Sequence, residues 1–362
     1  MSQTVFQSYI SKRVGPALIT RPDDFENYAS FRNYPLTARL MQHSMKFERG
    51  DSIEFRAMTG DNGTAQTYSP GTAATVTIHD NTAKGRAYWR YLRGSASWTD
   101  AQVKGVEGTT NASALAQTYI NQADETINEA VTSVINAVET KFVATASNSD
   151  MEAAGGLEPY SIFASVTSNG LAPSGFTTVH NINPTTIEGY QNAAVSYTVS
   201  SKFDQSAGIL ASFDTAYQLI EYRGLNGSMN KFLKNLNLSN VAALTNREGR
   251  SFYIEALRGQ NDLSKVSVGD GAILRPVYGS AEVVAVDAFD RESTFTAGSP
   301  EYLWINFSKL KLVVRPGNMG GMLRSRLFNP EMDRPDLHTL WLMMDYNVVN
   351  VDRQAHCYVS AA

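Results

Sequence analysis

The chain has 362 residues, 43% of them hydrophobic, and its 31 Lys and Arg stand against 35 Asp and Glu for a formal net charge of −4. That supports a large core in two or three lobes, and it excludes the global positive field of a sequence-independent DNA binder. A single cysteine, Cys357, excludes an intramolecular disulfide framework and a cysteine-cluster zinc site.

The opening "MSQTVFQSYISKRVGPALIT" has neither the apolar core nor the small-residue cleavage site of a signal peptide. No stretch of eighteen apolar residues follows, so a soluble, intracellularly made protein is expected, with no membrane partner. Asn-X-Ser/Thr triplets at Asn62, Asn111, Asn226, Asn237 and Asn306 then read as chance occurrences. Residues 21–35, "RPDDFENYASFRNYP", space Phe25, Tyr28, Phe31 and Tyr34 three apart, which sets four rings on one side of a loose helix or an extended arm. Such a segment packs on its own core or anchors its rings in a neighbour.

Residues 47–98 read as a long two-stranded ribbon. "SIEFRAMT" alternates Ile53, Phe55 and Ala57 with Glu54, Arg56 and Met58. A turn-rich tip, "GDNGTAQTYSPG", leads to "ATVTIHD" and then to "DNTAKGRAYWRYLRGSASWTD". The last stretch sets Lys84, Arg86, Arg90 and Arg93 among Tyr88, Trp89 and Tyr91 with no acid between Asp80 and Asp100. Alternation puts Arg86, Tyr88, Arg90 and Leu92 on one face and Trp89, Tyr91 and Arg93 on the other. Cations interleaved with aromatics suit a single-stranded nucleic-acid groove or a subunit interface. A two-stranded ribbon is marginal alone in water, so it needs a partner surface.

A helix is expected over 111–145, where Leu115, Tyr119, Ala123, Ile127, Val131, Val134, Val138 and Phe142 recur at three- and four-residue steps without Pro or Gly. Residues 155–185 form a Gly/Pro/Ser/Asn-rich crossing. Beyond it, "SAGILASFDTAYQLIEYRG" and "REGRSFYIEALRG" read as helices. "VGDGAILRPVYGSAEVVAVDAF", "EYLWINFSKLKLVVRP" and "HTLWLMMDYNVVNVDRQAHCYVS" read as strand regions, the first with Gly279 between two strands.

No catalytic signature emerges. His43, His79, His180, His338 and His356 are scattered, and no metal-ligand spacing, phosphate loop, dinucleotide fingerprint or nucleophile elbow is present. His338 and His356, in apolar strand context, fit hydrogen-bonded core or interface histidines. Asp23–Asp24 and Asp124–Glu125 are adjacent pairs that diverge on any regular element, which fits a solvated face. No catalytic, cofactor or metal site is therefore expected, although groups from distant positions can converge in a fold.

The order of ribbon, long helix, Gly-rich crossing, mixed lobe and returning strands resembles the major capsid proteins of tailed double-stranded DNA bacteriophages. The residues that carry it are 67–108 with the helix after them, then "YIEALRG", "RPVYGSAEVVAVDAF", "EYLWINFSKLKLVVRP" and "WLMMDYNVVNVDRQAHCYV". The resemblance covers nearly the whole chain. It implies an α+β fold with an N-terminal arm (1–46), an extended β-hairpin loop (47–98), a peripheral domain with a long spine helix (99–164), an axial domain (165–300) and C-terminal strands returning through both (301–362). The implied function is a structural, non-enzymatic subunit that assembles as hexamers and pentamers into an icosahedral shell around the genome. Implied partners are further copies of itself, a separate scaffolding protein, a portal, a decoration protein and packaged DNA held non-specifically. The implied location is the virion capsid, with assembly in the host bacterial cytoplasm.

Carried onto this chain, the resemblance makes Phe25, Tyr28, Phe31, Tyr34, Tyr68, Arg86, Tyr88, Trp89, Arg90, Tyr91 and Arg93 inter-subunit contacts. The start at Met1, with no long charged helix, implies a subunit without a cleaved scaffolding segment. Lys84 is the only lysine between 47 and 98, and non-covalent overlap rather than a Lys–Asn link is expected. Two other readings stand beside this one: a nucleic-acid-binding protein using residues 84–93, and the related shell of an encapsulin nanocompartment. An enzyme or sugar-binding protein with a cleft in 165–300 is a more remote alternative.

Overall fold

The computed structural model describes residues 34–48, 50–58, 82–99, 112–145, 147–199, 207–223, 240–259, 266–268, 274–278, 281–292, 295–316, 323–328 and 337–362. The chain divides into two compact units. The first comprises 1–51, 89–141 and 312–347, and the second 52–88, 142–311 and 348–362.

In the first unit, helix α1 (Pro35–Gln42) is followed by the two-residue strand β1 (Met45–Lys46). In the second, strands β2 (Ser52–Met58) and β3 (Thr82–Tyr88) pair antiparallel along their whole length, Ser52 opposite Tyr88 and Met58 opposite Thr82. Strand β4 (Arg90–Thr99) and helix α2 (Ala112–Val143) come next, and the helix matches the expected 111–145 to within two residues at each end. At 1.5 Å per residue α2 is about 48 Å long.

Among the described residues, besides four helical segments of three or four residues, the elements that follow are β5 (Ala193–Tyr197), α3 (Ile209–Arg223), β6 (Val241–Thr245), α4 (Arg247–Gly259), β7 (Val266–Val268), β8 (Leu274–Tyr278), β9 (Ala281–Ala285), α5 (Asp287–Arg291), β10 (Tyr302–Asn306), β11 (Leu310–Val314), β12 (Arg324–Phe328), β13 (Leu337–Asn350) and β14 (Cys357–Ala361). Among the described residues no helix is long and apolar enough to cross a membrane.

The first unit is built on a five-stranded sheet whose centre is β13. Strand β4 runs antiparallel along residues 337–346 of it and β12 along 339–343, while β11 links it to the parallel strand β1. In β4, Arg90 and Ala96 are buried while Tyr91, Arg93, Ser95 and Ser97 are exposed, so one face is covered and the other open. Gly94 lies on the covered face, where a Cβ would fall 2.6 Å from Val134 Cγ2. The missing side chain lets α2 lie close against the strand.

Helix α2 buries Ala130, Val134, Ile135 and Val138, and Glu139 is equally buried among them. Its carboxylate accepts from the Thr37 backbone N–H at 2.8 Å and from the Thr37 hydroxyl. Thr37 is the third residue of α1, whose preceding residue Tyr34 makes no side-chain cap, so Glu139 supplies the acceptor from another helix. Glu139→Ala is expected to lower unfolding stability by about 2–3 kcal/mol, and Glu139→Gln by about half of that, because the amide oxygen keeps one bond but not the charge. Urea midpoints of the two variants measure this, and equal losses would show that the charge contributes nothing.

The second unit is organised by a seven-stranded mixed sheet in the order β5-β14-β10-β6-β9-β8-β7. All five residues of β6 are buried, as are the first four of β10, which suits central strands covered on both faces. Helices α3 and α4 bring Ile209, Phe213, Ala216, Ile220, Tyr253 and Leu257 into one apolar cluster with Val241, Tyr302, Trp304 and Val359. Phe213 is its hub. It stacks on Tyr253 at 5.1 Å between centroids and meets Tyr302 and Trp304 edge-on at 4.8 and 5.1 Å.

Candidate functional site

The residues singled out in the basic, aromatic stretch divide between two sheets. Strand β3 ends at Tyr88, and β4 begins at Arg90 against β13 instead of continuing the ribbon. The break falls at Trp89, 3% exposed, whose indole N–H donates to the Gly50 carbonyl at 2.9 Å and whose ring lies under the Arg315 guanidinium at 4.7 Å. Turning there buries the indole. A single ribbon running through residue 98 is therefore not what forms.

Two contact residues need correction for the same reason. Trp89 and Arg90, the latter 1% exposed, are interior side chains of the first unit and offer no area to a neighbour. Tyr91 is 70% exposed, and Arg93, also exposed, stacks over Trp341 at 4.2 Å. On the face they share, Asp345 is opposite Tyr91 and Met343 opposite Arg93, with Arg324 in turn opposite Met343. Asp345 is buried and pairs with both Arg315, at 3.5 Å, and Arg324, so that face remains cationic. Tyr34 is half-buried just before α1. Phe25, Tyr28, Phe31, Tyr68 and the ribbon tip lie outside the described residues.

The β2–β3 ribbon has two unlike faces. Ile53, Ala57, Gly85 and Ala87 are buried, whereas Glu54, Arg56, Lys84 and Arg86 are exposed. Register sets Glu54 opposite Arg86 and Arg56 opposite Lys84. Glu54 accepts from Arg86 at 3.0 Å and pairs diagonally with Lys84 at 2.8 Å, and these two contacts, Lys84 first, hold its carboxyl below the usual range. The exposed face thus carries three cations to one acid. Directly opposed like charges weaken a strand pair, so Arg56 facing Lys84 is a local cost to the isolated chain that a complementary anionic surface would relieve.

On its covered side the ribbon meets the turn at 179–182. Val179 and Ile182 exchange backbone bonds of 2.8 and 3.0 Å around His180 and Asn181, both left-handed, at φ 54° and 63°. Residue types tolerant of that conformation are needed there, and Asn is the commonest after Gly. The His180 carbonyl accepts from the Arg86 backbone N–H at 2.8 Å, and its ring meets Phe55 edge-on at 5.6 Å. Phe55 in turn lies over Gly85, where a Cβ would fall 2.3 Å from the ring, so only glycine fits beneath it.

The His180 imidazole is fully buried, and desolvation holds it down to about 3, so it is neutral near pH 7. Its Nε2 lies 3.1 Å from the Val348 carbonyl, which places the single ring proton there. The other nitrogen faces the Tyr190 hydroxyl at 3.3 Å, and that hydroxyl donates to Asn350 O at 2.8 Å. His356 is likewise buried and satisfied, accepting from the Asn306 backbone N–H at 3.1 Å with its other nitrogen 3.1 Å from Asn350 Oδ1.

Beside this lies Arg353, also fully buried. Its Nε donates to Ser165 O at 2.8 Å, Nη1 to Tyr190 O at 3.2 Å, and Nη2 to Leu171 O and Asn192 Oδ1, both at 2.9 Å. Every one of these acceptors is neutral. Sequence reasoning passed over His180, Arg353 and Glu139, and "VHNIN", with its Asn-containing turn, is the one signal that could have flagged the first of them. Among the described residues no cluster of three His, Cys, Asp or Glu could hold a metal ion.

No protein-family model matches the sequence, and no curated protein matches it. Solved structures do. The capsid of a native GTA particle is 12% identical, with 90% of each chain covered and a TM-score of 0.51. Mycobacterium phage Bobi and Mycobacterium phage Adephagia match over the same 90% of both chains at 10% and 9% identity, each with a TM-score of 0.51. The likeness is one of fold: this chain shares its α+β fold with these structures over nine-tenths of its length.

Proposed function

We propose that the chain is the structural subunit of a tailed-phage capsid, assembling as hexamers and pentamers into a closed icosahedral shell around double-stranded DNA. The observation that carries the reading is the fold shared with a GTA capsid over nine-tenths of both chains. The exposed face of the β2–β3 ribbon supports it, because three cations, two of them directly opposed, suit an acidic surface on a neighbouring copy. On this reading Arg56, Lys84, Arg86 and Tyr88 on the ribbon, with Tyr91 and Arg93 on the open face of β4, are inter-subunit contacts. The aromatic segment through Phe25, Tyr28 and Phe31, together with Tyr68, is proposed to join them.

The subunit is non-enzymatic on this reading and resides in the virion capsid after assembly in the host cytoplasm. A separate scaffolding protein, a portal and a decoration protein are its proposed partners. Electron microscopy of the purified full chain, with and without a candidate scaffolding protein, tests the proposal. Pentamers, hexamers, tubes or closed shells are expected. A monomer or small dimer under every condition would refute it.

A further inference from the structure

We propose that His180 is a positioning residue that pins the base of the β2–β3 ribbon and fixes the direction in which the ribbon leaves its unit. Its carbonyl, its ring faces and its Nε2 engage four different partners. Its carbonyl holds the outer edge of β3 through the Arg86 amide at 2.8 Å. One side of its ring takes the edge of Phe55 from β2, and the ring packs on Tyr160 with centroids 3.9 Å apart. Its Nε2 is anchored to the Val348 carbonyl at 3.1 Å.

The turn that presents these groups is itself braced. The His180 backbone N–H donates to the Tyr160 hydroxyl at 3.2 Å. That hydroxyl is 3.2 Å from one oxygen of Glu152, and the Thr178 hydroxyl donates to the other at 2.6 Å. A left-handed non-glycine residue persists only where its surroundings over-determine it, and such residues cluster where geometry matters to function. The two-residue turn requires positive φ at both His180 and Asn181, and in that geometry the His180 carbonyl faces a ribbon strand. A ribbon with an unfixed base would sweep an arc at its far end, so its contacts could not recur identically from one subunit to the next. Uniform shells need that recurrence.

Two full-length variants test this. His180→Gly keeps the left-handed turn and the carbonyl but removes the ring. Phe55→Leu removes the ring contact from the ribbon side and leaves the histidine's anchor to Val348 untouched. Hydrogen exchange of the unassembled subunit is expected to show amides 82–88 opening at least about tenfold faster in both, while amides of β6 and β10 keep their protection. Shells from either variant are expected to lose a single diameter. Unchanged exchange at 82–88, or a uniform rise across both regions, would overturn the pin. Selective loosening of the ribbon with shells of unaltered diameter would overturn the claim that the pin fixes the ribbon's direction. The shell measurement rests on the capsid reading and the exchange measurement does not. If the unaltered chain forms no shells, the capsid reading falls, and exchange alone decides whether His180 holds the ribbon.

Discussion

Replacing Arg353 with methionine is expected to lower unfolding stability by about 3–5 kcal/mol, the largest single-residue loss foreseen for this fold. The guanidinium is buried, and desolvation lowers it from its ordinary value to about 10. A base whose folded value lies below its unfolded one burdens the fold while charged. That burden is constant below about pH 10 and is relieved as pH rises above it. The charge is therefore a cost, and the residue stabilises by what its donors reach.

Those donors hold Ser165 O, Tyr190 O, Leu171 O and Asn192 Oδ1, three of which are backbone carbonyls that no side-chain substitution removes. Methionine fills much of the volume but leaves these acceptors bare, at about 1–3 kcal/mol for each one that cannot reach water. Arg353→Lys should recover part of the loss, since an ammonium on a shorter stem cannot serve all four positions. Denaturant unfolding of both variants measures it, and a loss under about 1 kcal/mol for methionine would show that the loops at 165–171 and 190–192 refill the site by themselves.

The second large effect is on assembly rather than stability. The double variant Arg56→Glu with Lys84→Glu is expected to reduce shell formation at least about tenfold and to leave the thermal midpoint of the subunit within a few degrees. Arg56 and Lys84 face each other across the ribbon, so reversing both keeps a like-charged pair; the solvent-exposed Lys84–Glu54 contact is lost at small cost, while the Arg86–Glu54 pair remains. The main change is the sign of the exposed face. Sedimentation of assembly reactions together with thermal unfolding would separate the two effects. Intact shells combined with a salt-sensitive loss of DNA retention would favour the nucleic-acid reading of this stretch.

Much of the fold is legible where one periodicity governs a long segment. Helix α2 follows from a three- and four-residue apolar step over eight turns and no breaker, and the inward Ile53, Phe55 and Ala57 of β2 follow from strict alternation. The short strands β5 and β6 escaped notice because "AAVSY" and "VAALT" are five-residue runs that read equally as pieces of helix, and only their neighbours in the sheet decide the matter.

The candidate contacts were legible in type but not in placement. Alternation correctly puts Tyr91 and Arg93 on one face, yet nothing local shows that the chain changes sheets at Trp89, because β4 pairs with a strand some 250 residues away. The burial of Arg90 follows from that pairing. Glu139 and Arg353 are hidden for a different reason: a charged residue type signals surface, and only a partner distant in sequence reverses that expectation.

Strand β14 lies inside the seven-stranded sheet, parallel to β5 on one edge and antiparallel to β10 on the other. During synthesis β5 emerges about 160 residues before the strand that must sit beside it, an interval of roughly 10–30 s at ordinary elongation rates. Until residues 357–361 arrive, β5 and β10 each present an unpaired edge and the sheet cannot close. A nascent chain therefore cannot complete the sheet that organises the body to which its ribbon is fastened until β14 has been made.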